Sequence, residues 1–186
     1  MTTANALSDP REKLDRLRLL VLAAQRDGAR RLSEILRRVQ LTPNQAEILA
    51  VLAQSGPLSL SEVGRRIVCE AGSPSRAVDT LVKRGLVDRV QSADDRRYVT
   101  LEITTSGSAL LPVIIEGITA LDEGILDKLT AGEISQLCTL LDRLLDGTEG
   151  QTAIDLRCGS LTSGDHDALP PLVTLRNQTS RRRPQS

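Results

Sequence analysis

Thr80-Leu81-Val82-Lys83-Arg84-Gly85-Leu86-Val87-Asp88-Arg89 begins a run that continues through Asp95-Arg96-Arg97 to Leu101-Glu102-Ile103-Thr104-Thr105-Ser106-Gly107. Ala77, Val78, Leu81 and Val82 mark one side of a helix. Ser73-Pro74 opens that helix and Gly85 is a natural C-cap for it. The period then changes from helical to two. Leu86 to Gln91 and Tyr98 to Thr104 alternate, with Val99, Leu101 and Ile103 on one face, as strands do. The residues between them, Ser92-Ala93-Asp94-Asp95-Arg96-Arg97, are all small or charged and form the tip of a hairpin projecting into solvent.

Two shorter helices precede this unit. Thr42-Pro43-Asn44-Gln45 combines a capping hydroxyl, a proline at the first helical position and a glutamine that reaches back. Ile48, Leu49 and Leu52 are the buried face, and Ser55-Gly56-Pro57 stops the helix. Ser59-Leu60-Ser61-Glu62 is a second capping box, with Val63 and Ile67 turned inward. The order helix, helix, helix, strand, charged tip, strand is that of a winged helix-turn-helix in a mainly α chain. With Val78 and Leu81 buried, 100° per residue turns Arg76, Asp79, Thr80 and Lys83 outward. Such a face suits a major groove: Arg pairs with guanine, Thr serves base or phosphate, and Asp accepts from cytosine or holds Arg76. Ser73 and Ser75 stand at the helix N-terminus, where hydroxyls and backbone N–H groups suit phosphate. Arg96 and Arg97 on the tip suit a narrow, negative minor groove. Each feature alone is commonplace, since Asp79 with Arg76 and Lys83 is also an ordinary solvated ion-pair pattern. It is the ordered combination that discriminates.

Helical periodicity extends on both sides. From Arg11 to Gln40, Leu14, Leu17, Val21, Ala24, Leu32, Ile35 and Val39 form one stripe. A helix of about 30 residues spans about 45 Å, more than a small domain covers, so a second subunit is the simplest way to bury it. Downstream, Leu110, Leu111, Ile114, Ile118, Leu121, Ile125 and Leu129 recur, with Pro112 expected to kink the helix or delay its start. Thr130-Ala131-Gly132-Glu133 is a further capping box before Ile134, Leu137, Cys138, Leu141 and Leu145, a stripe that places Cys138 in a core, and Gly147 closes the helix. The organisation is therefore a flexible N-terminus at 1–10, a domain at 11–147 and a tail at 148–186. Ser, Thr, Gly, Pro and Arg dominate the tail, which reads as disordered. Within the domain, 41–104 is the winged helix-turn-helix, flanked by helices at 11–40 and 105–147.

Composition removes several other classes. The 186 residues include no Phe, no Trp and one Tyr, so the core is aliphatic. Basic and acidic side chains balance at 24 each, but unevenly along the chain. Residues 1–101 hold 17 basic and 12 acidic groups, whereas residues 102–149 hold 2 and 9. A basic half and an acidic half suit a chain that meets a polyanion with one end. No apolar run is long enough for a membrane span and no signal-peptide pattern opens the chain, so the expected location is the cytoplasm and no membrane partner is expected. Cys69, Cys138 and Cys158 are odd in number and scattered, which argues against a disulfide framework. One histidine, His166, offers neither a zinc cluster nor a triad, so metal, cofactor and enzymatic chemistry are not expected.

The stretch 80–89, the Asp95-Arg96-Arg97 tip and the segment 101–107 together closely resemble the MarR (multiple antibiotic resistance regulator) transcription factors. That family shows a helix ending L-x-x-x-G-L-V-x-R, a D-x-R wing and a strand ending L-T-x-x-G. Ile103 replaces the usual leucine before Thr104. The resemblance spans about residues 11–147. It implies a homodimer in which 11–40 and 105–147 interleave and two winged units address double-stranded DNA on a pseudo-palindromic operator, as a regulator and, by expectation, a repressor. It matches Arg97 to the wing cation with Arg96 beside it, Asp95 to the carboxylate that braces the wing, and Ser61 to a phosphate contact. Ser73, Ser75 and Arg76 match the start of the reading helix. Release by a small-molecule effector or by oxidation, with Cys69 as the candidate thiol, is a further family expectation. The aromatic-poor composition gives a planar phenolic ligand few stacking partners. The alternative is a winged-helix protein-interaction module that reads no DNA. Arg97→Ala separates the two: affinity for a selected duplex should fall by about 1–3 kcal/mol, measured by titration, and an unchanged affinity removes the wing from the interface.

Overall fold

The computed structural model describes residues 9–68, 73–91 and 98–158. Asp9 starts the first helix: its carboxylate accepts the Arg11 N–H at 2.9 Å and Pro10 takes the first turn. Helix α1, Pro10–Leu36, is 27 residues long, about 40 Å. It tightens into a 3-10 turn at Arg37–Val39 and breaks where Gln40 turns left-handed at φ 54°. Thr42 then caps α2, Pro43–Ser55, through a reciprocal box with Gln45, and Ser59 caps α3, Leu60–Gly64, through a second one with Glu62. Helix α4, Pro74–Lys83, leads into β1, Val87–Gln91, which pairs antiparallel with β2, Val99–Ile103. The register sets Val87 opposite Ile103 and Gln91 opposite Val99. Leu58 adds two backbone bonds to Leu101, tying the end of α2 to the sheet.

Pro112 delays the following helix rather than kinking it. A single turn, α5 at Thr105–Ser108, precedes α6, Leu111–Leu126, and the proline sits in the first turn of α6. Helix α7, Ala131–Leu145, starts at the Thr130–Glu133 box. The core lies where α2, α3, α4 and the sheet meet the second half of α1 and the start of α6. Leu36, Ile48, Leu49, Leu52, Val63, Val78, Leu81, Leu101 and Ile114 are all fully buried there. Gly117 lets α6 approach α1, since a Cβ there would come within 2.8 Å of Leu32 Cδ1.

Two expectations change. The tail is not without structure from residue 148: Glu149–Cys158 forms α8, with Ala153 buried. Its start carries the same hydroxyl-and-glutamine signature as α2, because Thr148 Oγ1 accepts the Gln151 N–H at 3.2 Å. Residues 159–186 lie outside the described residues. Cys138 is exposed in the single chain and not in its core, because none of α7 is buried there.

The winged unit and the downstream helices meet at one tight point. Thr104 Oγ1 donates to the Gly85 carbonyl at 2.8 Å and accepts the Gly107 N–H at 3.0 Å. A Cβ at Gly107 would collide with the Leu86 carbonyl oxygen and stand 2.8 Å from Ile103 Cγ1. Gly107→Ala should therefore destabilise the fold by about 3 kcal/mol, the upper part of the usual overpacking range, because the obstacle is backbone. Urea unfolding would measure this, and a loss under 1 kcal/mol would mean that the junction can yield.

Candidate nucleic-acid interface

Helix α4 owes its orientation to Val78 and Leu81, both fully buried. Arg76, Thr80 and Lys83 are exposed on its opposite side, four and three residues apart. Ser73 is exposed and Ser75 half-buried at its N-terminus, with their hydroxyl oxygens 2.9 Å apart in a shared hydrogen bond. Ser73 makes no side-chain cap to its own helix, unlike Ser59 and Thr42. Ser61 is exposed on α3. Asp95, Arg96, Arg97 and Cys69 lie outside the described residues.

The outward face is wired differently from the sequence expectation. Asp79 does not hold Arg76; its Oδ1 accepts from Arg89 Nη2 on β1 at 2.6 Å, linking α4 to the wing strand. Arg89 comes from the strand that follows α4, ten residues beyond Asp79, a contact that helical spacing cannot display. The Thr80 hydroxyl donates to the Arg76 carbonyl at 2.9 Å, so toward a ligand it offers its lone pairs. Arg84, next to Lys83 in sequence, is spent on structure: Nη1 and Nη2 donate to the Gln40 and Val39 carbonyls at 2.6 and 3.0 Å. It thereby closes the left-handed end of the first helical segment onto the end of α4. Two cations that the sequence reading passed over flank α3: Arg65 is exposed, and Arg66 donates from Nη1 to the Glu62 carbonyl at 3.1 Å. Their adjacency just after a capped helix was the available signal. Among the described residues no group of three His, Cys, Asp or Glu could hold a metal ion, and no helix is long and apolar enough to cross a membrane.

A short helix, a second helix with an uncovered cationic face and a two-stranded wing define a winged-helix DNA-binding unit. Residues 41–107 match the family model described as a winged helix DNA-binding domain. The HTH-type transcriptional repressor NicR of Pseudomonas putida is 33% identical over 110 residues, covering 59% of this chain and 70% of that protein. The multiple antibiotic resistance protein MarR of Escherichia coli is 27% identical over 117 residues, covering 62% and 81%. Among solved structures, a mutant of E. coli MarR complexed with operator DNA superposes with a TM-score of 0.64 at 26% identity, over 74% of this chain and 99% of that one. The chain belongs to the MarR family of winged helix-turn-helix transcription factors and is a DNA-binding regulator.

The entry to this unit carries a pH signature. Both the hydroxyl and the N–H of Ser59 donate to Glu62 Oε2, at 2.7 and 2.8 Å. These bonds, the side-chain one first, hold the Glu62 carboxyl below its ordinary value. A lowered folded value means that the contribution is fully present above the unfolded carboxylate value and is lost as pH falls from there through the lower folded value. Wild type should thus exceed Glu62→Gln in urea midpoint at pH 7, and the gap should narrow as acid protonates the Glu62 carboxyl in the folded state. A gap that persists in acid would assign the effect to shape rather than charge.

Proposed function

We propose that the chain acts as a homodimeric, sequence-specific repressor on a pseudo-palindromic operator, with Ser61, Ser73, Ser75, Arg76, Thr80 and Lys83 at the DNA and Arg96 and Arg97 reaching from the wing. One observation carries this reading: a single chain leaves both a cationic helix face and two leucine faces uncovered. On α1, Leu14 and Leu20 are 64% and 54% exposed; on α7, Leu140 and Leu144 are 59% and 58% exposed. An apolar surface of this extent marks an interaction site. A second copy is the occupant that the family favours, because both stripes lie on the flanking helices and leave the reading face open. Two copies of α4 would then enter successive major grooves with half-site centres about 34–36 Å apart. Release by a small apolar effector, or by oxidation at Cys69, completes the proposed cycle.

Analytical ultracentrifugation should give a dimer, and Leu140→Asp combined with Leu144→Asp should shift it to monomer. On a duplex selected from random sequence, Arg76→Ala should cost about 1–3 kcal/mol and relax the preferred base at one position. Lys83→Ala should instead weaken all sequences alike and lower the slope of log affinity against log salt by about 1. A salt-independent affinity would favour the protein-interaction alternative.

A further inference from the structure

Two uncovered apolar helix faces each hold one charge near the middle, and the charges are opposite. The first half of α1 is bare: every residue from Pro10 to Arg26 is exposed, whereas Leu32 and Ile35 in its second half lie against Gly117 of α6. This bare arm is about 25 Å long. At 100° per residue, Lys13 stands within about 40° of Leu17, Leu20 and Ala24 around the helix axis. On α6, Asp122 stands within about 60° of Ile118, Ile125, Leu126 and Leu129. Ile125 and Leu126 there are 48% and 62% exposed. Gly117 and Gly124, which face Leu32 and Arg31 of the same chain, lie about 150° round from Asp122. The face that carries Asp122 is therefore not the one that α1 of its own chain covers.

Neither charge has a partner. Among the described residues no side-chain hydrogen bond or ion pair involves Lys13 or Asp122. The nearby Asp15 is engaged by Arg18, and Asp27 by Arg30 and Arg31. Desolvation by its apolar neighbours already pushes the Asp122 carboxyl above its ordinary value. A second helix laid over that face would withdraw the carboxylate further from water, and a carboxylate so placed needs a cation. Charge selects which helix that is. Residues 10–22 hold four basic and two acidic side chains, and residues 111–145 hold two and six. Two copies of α6 and α7 laid on each other would bring like charges together, whereas the arm of a second copy brings cations. Of the cations on that arm, Arg11 and Arg16 stand farther round the helix; Lys13 lies in the row of leucines itself.

We propose that Lys13 of each chain pairs with Asp122 of the partner subunit, so that the α1 arm lies along the partner's α6 and two symmetric ion pairs fix its register. A lone charge in an apolar seam is an established way of specifying register, and a two-fold axis repeats each contact. The inference rests on the homodimer reading above and adds which faces meet and at which residues. Sedimentation equilibrium of the full chain tests it. Lys13→Glu and Asp122→Lys should each raise the dimer dissociation constant about tenfold or more, because each sets like charges against one another twice. Mixed in equal amounts, the two variants should dimerise within about threefold of wild type, since the mixed dimer holds one native and one reversed pair. A mixture that associates no better than either variant alone overturns the pairing and leaves the dimer reading intact. A wild type that is monomeric overturns the dimer reading and the pairing with it. Lys13→Gln and Asp122→Asn serve if a reversal prevents folding: each should weaken the dimer about threefold, and together no more than either alone. Additive losses in that pair of variants would also overturn the contact.

Discussion

The Leu86 carbonyl is the point on which the architecture turns. It accepts the Thr104 N–H at 3.1 Å, while the Leu86 N–H reaches back to Leu81 at 3.0 Å. Gly85, at φ +65°, permits that reversal, and Gly107 leaves room for the oxygen itself. The end of the reading helix, the first wing strand, the last wing strand and the start of the downstream helices therefore share one small contact without slack. This is the physical content of the two glycines in the motif. One provides a left-handed backbone and the other the absence of a side chain, and the threonine between strand and helix ties the two together with donor and acceptor from one hydroxyl.

Arginine abundance has two meanings in this chain, and the fold separates them. Along α1, Arg18 pairs with Asp15, Arg30 with Asp27 and Glu34, and Arg31 with Asp27. Hydrogen bonding from Arg30 holds the Asp27 carboxyl below its ordinary value. Arg38 reaches Glu116 on α6. These guanidinium groups are matched locally by carboxylates and contribute little field at a distance. The outward cations of α4 lie on a face whose one carboxylate is engaged by Arg89. By count the excess of positive charge lies in residues 1–40, with 9 basic and 5 acidic groups against 8 and 7 in residues 41–101, so what marks the reading unit is the outward placement of Arg76 and Lys83 and not its net charge.

Local chemistry made much of the fold legible in the sequence. The boxes at Thr42, Ser59 and Thr130 depend on residues three apart, and Gly85 and Pro112 act on their own backbone; each of these effects is written in adjacent letters. The tertiary partners were not legible. Asp79 is spaced for Arg76 and Lys83 but is claimed by Arg89, and Arg84 secures the end of the first helix through carbonyls more than forty positions away. Helix α8 is not marked by periodicity, although Thr148 and Gln151 repeat the signature of Thr42 and Gln45, because its short apolar set, Ala153 with Ile154 and Leu156, lacks a long stripe. What holds its far end is an ion pair of Arg157 with Glu47, 110 positions away, which no window of sequence contains.

Helix α7 shows what capping can and cannot do. Its N-terminus is well defined: the Thr130 hydroxyl accepts the Glu133 N–H, and Glu133 is held below its ordinary value by the bonds it accepts from the Thr130 backbone and hydroxyl. Yet a fifteen-residue helix is marginal in water by itself, and a capping hydroxyl contributes only about 1 kcal/mol. Burial of Leu137, Leu140 and Leu144, at roughly 1.5–3 kcal/mol each when complete, is a larger quantity, and the described residues of the single chain leave all three exposed. The cap fixes where the helix starts; the covering of its leucines decides how fully it is populated. In the proposed dimer the two terms come from different chains, so the order of α7, and with it the root of α8, depends on a surface that the described residues of one chain do not supply.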